Sequence, residues 1–141
     1  MVTLEAILER NNLNRAYKQV KANRGGPGVD GMTVDEFLDY LRAHAVEIVE
    51  TVKAGKYKPQ PVRRVMIPKE EKGKFRPLGI PTAVDRVIQQ AIAQKLSDEY
   101  EPVFSLHSHG FRPCRSCRTA IDEALDIANQ GYVWVVDLDL S

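Results

Sequence analysis

At 141 residues, 43% hydrophobic and 28% charged, the chain has the makeup of an ordinary globular domain. It contains no apolar run long enough to cross a membrane, and its acidic, amphipathic start MVTLEAILERNN is unlike a secretory signal. Its net charge of +1 hides a block, residues 53–76, with nine basic residues and two acids; such a block attracts phosphates, or is simply a solvated face.

Leu4, Ile7 and Leu8 share a helical face, as do Leu13, Ala16, Tyr17 and Val20. That predicts two helices, or one broken near Asn11-Asn12. Gly25-Gly26-Pro27-Gly28-Val29-Asp30-Gly31 is rich in glycine. It follows a helix rather than a strand and lacks the Lys-Ser/Thr ending of a phosphate-binding loop, so a flexible loop is expected. Thr33 and Glu36 have the spacing of a capping box. Phe37, Leu38 and Leu41 form the stripe of the helix it opens. Val46, Ile48, Val49 and Val52 predict a further helix that ends near Gly55. Tyr57-Lys58-Pro59-Gln60-Pro61 is an extended connector.

Residues 63–81, RRVMIPKEEKGKFRPLGIP, predict a basic β-hairpin. Val65 and Ile67 alternate with Arg64, Met66 and Pro68. Glu70-Glu71-Lys72-Gly73 suits the turn. Pro68, Pro77 and Pro81 disfavour a helix and favour edge strands. Thr82 then opens a helix, with Asp85 where a capping-box acid stands. Val84, Val87, Ile88, Ala91, Ile92 and Leu96 line its apolar face. Phe104 begins an irregular loop, FSLHSHGFRP. Ser116 or Thr119 opens the last helix, with Ala120, Ile121, Ala124, Leu125 and Ala128 inward. Residues 132–140 read as a strand, apolar until its acidic end. Such a strand wants burial on both faces. Nothing after it supplies neighbours, so the chain reads as the N-terminal piece of something longer.

Asp137 and Asp139 are two apart and share a face of that strand. Paired carboxylates at a strand's end suit Mg²⁺, a hard cation with oxygen ligands, or else cap a turn or pair with a base. His107, His109, Cys114 and Cys117 are all potential zinc ligands. Their spacing matches no familiar finger, and Arg112, Arg115 and Arg118 crowd them with positive charge. Two histidines in an ordered loop and Cys117 in a first helical turn is the better reading. Two cysteines make no disulfide framework, so a reducing, cytoplasmic setting is expected.

The chain resembles the N-terminal part of a group II intron-encoded reverse transcriptase, the intron maturase. The matching residues run in order: Asn14-Arg15-Ala16-Tyr17, Gly28-Val29-Asp30-Gly31, Tyr57-Lys58-Pro59-Gln60-Pro61 with Arg63-Arg64, and Ile67-Pro68-Lys69. Arg76-Pro77-Leu78-Gly79-Ile80-Pro81, Asp85-Arg86 with Gln89-Gln90-Ala91, His109-Gly110-Phe111-Arg112-Pro113 and Val136-Asp137-Leu138-Asp139-Leu140 follow. So many separate motifs in one order make the resemblance specific. Its N-terminal region favours the group II type over the diversity-generating or CRISPR-associated lineages.

The resemblance implies an α+β fold, part of a right-hand polymerase. Residues 1–56 would be an N-terminal helical extension, 57–131 the fingers, and 132–141 the first palm strand. Lys69 and Arg76 would contact an incoming deoxynucleoside triphosphate. Asp139 would be the first catalytic aspartate and a ligand of Mg²⁺, with the Leu140 carbonyl as a second ligand. Arg63, Arg64, Lys72, Lys74 and Arg112 would face nucleic acid: intron RNA, an RNA template and a DNA primer. The Tyr-x-Asp-Asp hairpin of the family is absent from the sequence. With one catalytic carboxylate of three, these residues alone are expected not to polymerise. A second reading is an RNA-binding module, or an inactive remnant, without polymerase activity.

Overall fold

The computed structural model describes residues 1–139. In chain order the helices and strands are α1 (Leu4–Ile7), α2 (Arg10–Ala22), α3 (Phe37–Lys53), β1 (Arg63–Pro68), β2 (Phe75–Ile80), α4 (Ala83–Tyr100) and α5 (Cys117–Asn129). They divide into two compact units, Met1–Glu99 and Tyr100–Ser141. The architecture is helical with one small antiparallel hairpin, an α+β arrangement.

In the first unit the core is formed by Ala16 and Val20 of α2, Val34 and Phe37 at the start of α3, and Ala83, Val87 and Ala91 of α4. Three fully buried alanines keep the helices close, and Phe37 supplies the bulk. The expected break near Asn11-Asn12 falls earlier, between α1 and α2 at Leu8 and Glu9. Asn12 lies inside α2 and is buried. Its side-chain amide donates to the Ile7 carbonyl at 2.8 Å and to the Ala91 carbonyl at 3.0 Å. One residue thus satisfies the open end of α1 and joins α2 to α4.

The capping box ahead of α3 is present. Thr33 N donates to Glu36 Oε2 at 3.0 Å, and Glu36 N donates to Thr33 Oγ1 at 3.3 Å. The two helices expected after it are one, of 17 residues. Arg42-Ala43-His44-Ala45 contains no glycine or proline to end it. The stripe expected on α4 is narrower than its sequence implied. Ile92 and Leu96 are exposed, whereas Gln94, a polar residue, is buried. The amide of Gln94 reaches Asn12, which makes its burial affordable.

β1 and β2 pair antiparallel with Arg63 opposite Ile80, Ile67 opposite Arg76 and Pro68 opposite Phe75. The ladder continues one step into the turn, where Lys69 N donates to the Lys74 carbonyl at 2.8 Å. Gly73 takes a φ of 83°, a conformation that a side chain would oppose.

In the second unit, Ser116 caps α5 and Thr119 completes a capping box. The face of α5 expected to turn inward does not: Ile121 is 58% exposed and Leu125 55%. Among the described residues, 132–139 form no strand. A strand exists through its ladder, and β1–β2 is the one pairing among them. Leu140 lies outside the described residues.

Candidate functional site

The hairpin register decides which cations stand together. Directly opposed residues of an antiparallel pair point to one face, and so do residues two apart. From the Ile67–Arg76 pair, one face carries Arg63, Lys69, Lys74 and Arg76. Arg64 belongs to the other face. Lys69 and Arg76 are diagonal neighbours, a separation of about 7–8 Å in such a ladder, within reach of one polyphosphate. Both are exposed, as is nearly all of the hairpin. Lys74 pairs with Glu71 at 2.5 Å on the surface. An exposed pair of this kind adds little stability and leaves the lysine accessible, though Glu71 offsets part of its charge. Lys72, in the turn, is exposed.

The root of the hairpin is held by Asp85, which is 3% exposed. Tyr57 donates its hydroxyl to Asp85 Oδ1 at 2.6 Å. Oδ2 accepts from the Gln60 backbone N–H at 3.2 Å and from the Thr82 hydroxyl at 2.7 Å. Asp85 N donates in turn to Thr82 Oγ1 at 3.2 Å. Burial, with the carboxylate beside it, pushes the Tyr57 phenol far above its ordinary value. The Thr82–Asp85 half of this arrangement was visible as a local cap. The contacts to Tyr57 and Gln60 reach back 28 and 25 residues and have no local signature.

Beside that root stands Arg86, whose chemistry the sequence did not disclose. Its Nε and Nη2 are buried without a hydrogen-bond partner. Arg86 lines a pocket of about 240 Å³ with Asn23, Gln89 and Gln90. A Cβ at Gly25 would collide with the guanidinium, so the glycine loop approaches it because that position has no side chain.

In the second unit Arg112 is not a free cation. Its Nη2 and Nε bind the Glu101 carboxylate at 2.8 and 3.1 Å, and its Nη1 donates to the Ser105 and Ser108 carbonyls at 2.6 and 3.0 Å. The side chain is 9% exposed and lies against the Phe104 ring. Arg112 therefore pins its own loop. His107 and His109 both meet Glu123, with His109 Nε2 at 2.6 Å and its Nδ1 2.9 Å from the Thr119 hydroxyl. Hydrogen bonds from His107 first, then His109, hold the Glu123 carboxyl below its ordinary value. Cys114 and Cys117 are exposed free thiols. Among the described residues no cluster of three or more such ligands is placed to hold a metal.

Asp137 and Asp139 are exposed. Their oxygen chemistry fits Mg²⁺. They do not by themselves close a metal site, and the Leu140 carbonyl expected beside them falls outside the described residues.

Residues 67–141 match the family model for reverse transcriptase, RNA-dependent DNA polymerase. The chain belongs to that family.

Within it the chain is similar to group II intron-encoded proteins. It is 41% identical over 125 residues to Group II intron-encoded protein LtrA of Lactococcus lactis subsp. cremoris, covering 89% of this chain and 20% of that protein. It is 39% identical over 144 residues to Protein YkfC of Escherichia coli (strain K12), covering 98% of this chain and 38% of that protein. A putative COX1/OXI3 intron 2 protein of Saccharomyces cerevisiae is 33% identical over 129 residues, 89% of this chain and 14% of its own length. The chain thus spans about a fifth to two fifths of the first two relatives. No helix among the described residues is long and apolar enough to cross a membrane.

Proposed function

We propose that these residues are the triphosphate-binding and template-facing part of a group II intron reverse transcriptase and maturase. Residues 57–131 serve as fingers behind a helical extension, residues 1–56, and residues 132–141 are the palm segment, which pairs as the first palm strand only with neighbours from outside residues 1–141. The observation that carries this is the placement of Lys69 and Arg76 on one face of an exposed hairpin. Two cations on one face offset part of the charge of a triphosphate through charge-assisted contacts. Arg63, Arg64, Lys72 and Lys74 face the backbone of intron RNA, an RNA template or a DNA primer.

Asp139 is the one catalytic carboxylate in this segment, with Leu140 beside it. Mg²⁺ held there, with carboxylates from outside residues 1–141, would supply Lewis-acid stabilisation of the transferring phosphoryl group. Residues 1–141 alone bind and orient; they do not polymerise. The setting is cytoplasmic.

The test is binding of dGTP to the 141-residue chain by isothermal titration. Lys69→Ala and Arg76→Ala should each weaken it about tenfold, the effect of one lost charge-assisted contact. Unchanged affinity in both variants would remove the hairpin from triphosphate binding. The second reading, an RNA-binding module alone, is favoured by the exposure of the whole basic face. It predicts that both substitutions weaken RNA binding while the parent chain fails to bind dGTP.

A further inference from the structure

The hairpin that carries Lys69 and Arg76 is almost bare. Within β1 and β2 only Ile67 and Ile80 are even partly buried. Packing along its length therefore does little to set its direction, and its aim is decided at the root. Two chain segments meet there. The connector enters through Tyr57 and Gln60, and β2 leaves through Thr82 into α4. Asp85 is bonded to all three, at 2.6, 3.2 and 2.7 Å. It is almost wholly buried, so each bond acts in a medium of low dielectric with little competition from water.

We propose that Asp85 is a positioning residue that fixes the hairpin against α4 and so sets where Lys69 and Arg76 meet the triphosphate. This rests on the triphosphate reading above. The residue touches no substrate. Its carboxylate has two oxygens, and both are used, one by the incoming connector and the other shared between connector and outgoing turn. An asparagine would keep one acceptor oxygen and turn the other into a donor facing donors. The glycine loop abuts the same point, for a Cβ on Gly28 would lie 2.7 Å from Thr82 Cα.

The experiment reads geometry and binding separately in the 141-residue chain. Spin labels go on Lys72→Cys in the turn and Gln89→Cys on α4, in a background with Cys114→Ser and Cys117→Ser. Pulsed dipolar spectroscopy then gives the distribution of hairpin-to-helix distances. A narrow distribution is expected in the parent. Asp85→Asn and Tyr57→Phe should broaden it, and Thr82→Ser, which keeps the hydroxyl, should not. If the competent orientation falls to a fifth of the population, dGTP affinity falls about fivefold in step. An unchanged width in folded Asp85→Asn overturns the proposal. Should that variant fail to fold, an unchanged width in Tyr57→Phe overturns it instead. Broadening while Lys69→Ala leaves dGTP affinity unaltered sinks the triphosphate reading and supports Asp85 as the hairpin's anchor.

Discussion

Gln94 donates its side-chain amide to Asn12 Oδ1 at 2.8 Å, across 82 residues of chain, and both residues are buried. Asn12→Ala would leave Gln94 and the carbonyls of Ile7 and Ala91 short of partners away from water. A single buried group left unpaired costs about 1–3 kcal/mol. The expected loss is about 3 kcal/mol, measured as a lower urea midpoint. Asn11→Ala, on the exposed side of the same helix, should stay within about 0.5 kcal/mol. Equal midpoints for the two variants would refute the bridge.

Gly28 and Gly110 make a matched pair of substitutions. A Cβ at Gly28 would meet the backbone of Thr82, at 2.7 Å from Cα and 2.8 Å from N, and backbone cannot swing aside. Gly28→Ala should therefore destabilise by about 1–3 kcal/mol, as overpacking does. Gly110 has no atom within 4 Å of its would-be Cβ and no positive φ. Gly110→Ala should be neutral or stabilise by up to about 1 kcal/mol through the unfolded chain. Thermal melts of the two variants decide the matter.

Tyr57 gives a signal at high pH. Its folded pKa is raised above that of the unfolded chain, by burial and by Asp85. Its contribution is therefore complete below the unfolded value, about 10, and fades as pH climbs beyond it. One of the five tyrosines should ionise last in a spectrophotometric titration, and that late step should vanish in Tyr57→Phe. The stability gap between parent and variant should shrink above about pH 10. A titration in which all tyrosines ionise together would contradict this.

Glu123 works at the other end of the scale. Its folded pKa is lowered from 4.5, so the stability it lends is present above that value and is lost as pH falls through the folded pKa. It ties His107 and His109 of the loop to α5. The protection factors of the amides over residues 104–113, taken against the intrinsic exchange rate at each pH, should fall as the solution is acidified below about pH 4.5. Glu123→Gln should exchange fast already at neutral pH. Protection that ignores both acid and the substitution would mean that other contacts hold the loop.

What was legible in the sequence was local. The Thr33–Glu36 box, Ser116 as one of two candidate openers of the last helix, the hairpin and its glycine turn all follow from neighbours a few residues apart. What escaped was distant. Asn12 looked like a helix breaker because asparagine favours caps, and only its partners 79 and 82 residues away make it a bridge. Arg112 looked like one more cation in a basic run, and its carbonyl and carboxylate partners could not be read from charge. The exposed face of α5 was misplaced for a related reason. Periodicity shows which side of a helix is apolar, but not whether the described chain holds anything to cover it.

The two lysines of the hairpin turn differ in one respect that salt can expose. Lys74 is paired with Glu71 and Lys72 is not among the ion pairs of the described residues. Each phosphate contact to a single strand adds about 0.7 to the slope of log affinity against log salt. Lys72→Ala should lower the slope for single-stranded RNA by about that amount. Lys74→Ala should lower it by less, because Glu71 already screens its charge and is left facing the strand. The double variant Glu71→Ala with Lys74→Ala restores the local balance and should bind RNA more tightly than Lys74→Ala alone. Filter binding between 50 and 200 mM salt, about the range over which such slopes are read, gives all three. A slope indifferent to Lys72 would take the turn out of the RNA contact and leave the phosphate surface to the arms of the hairpin.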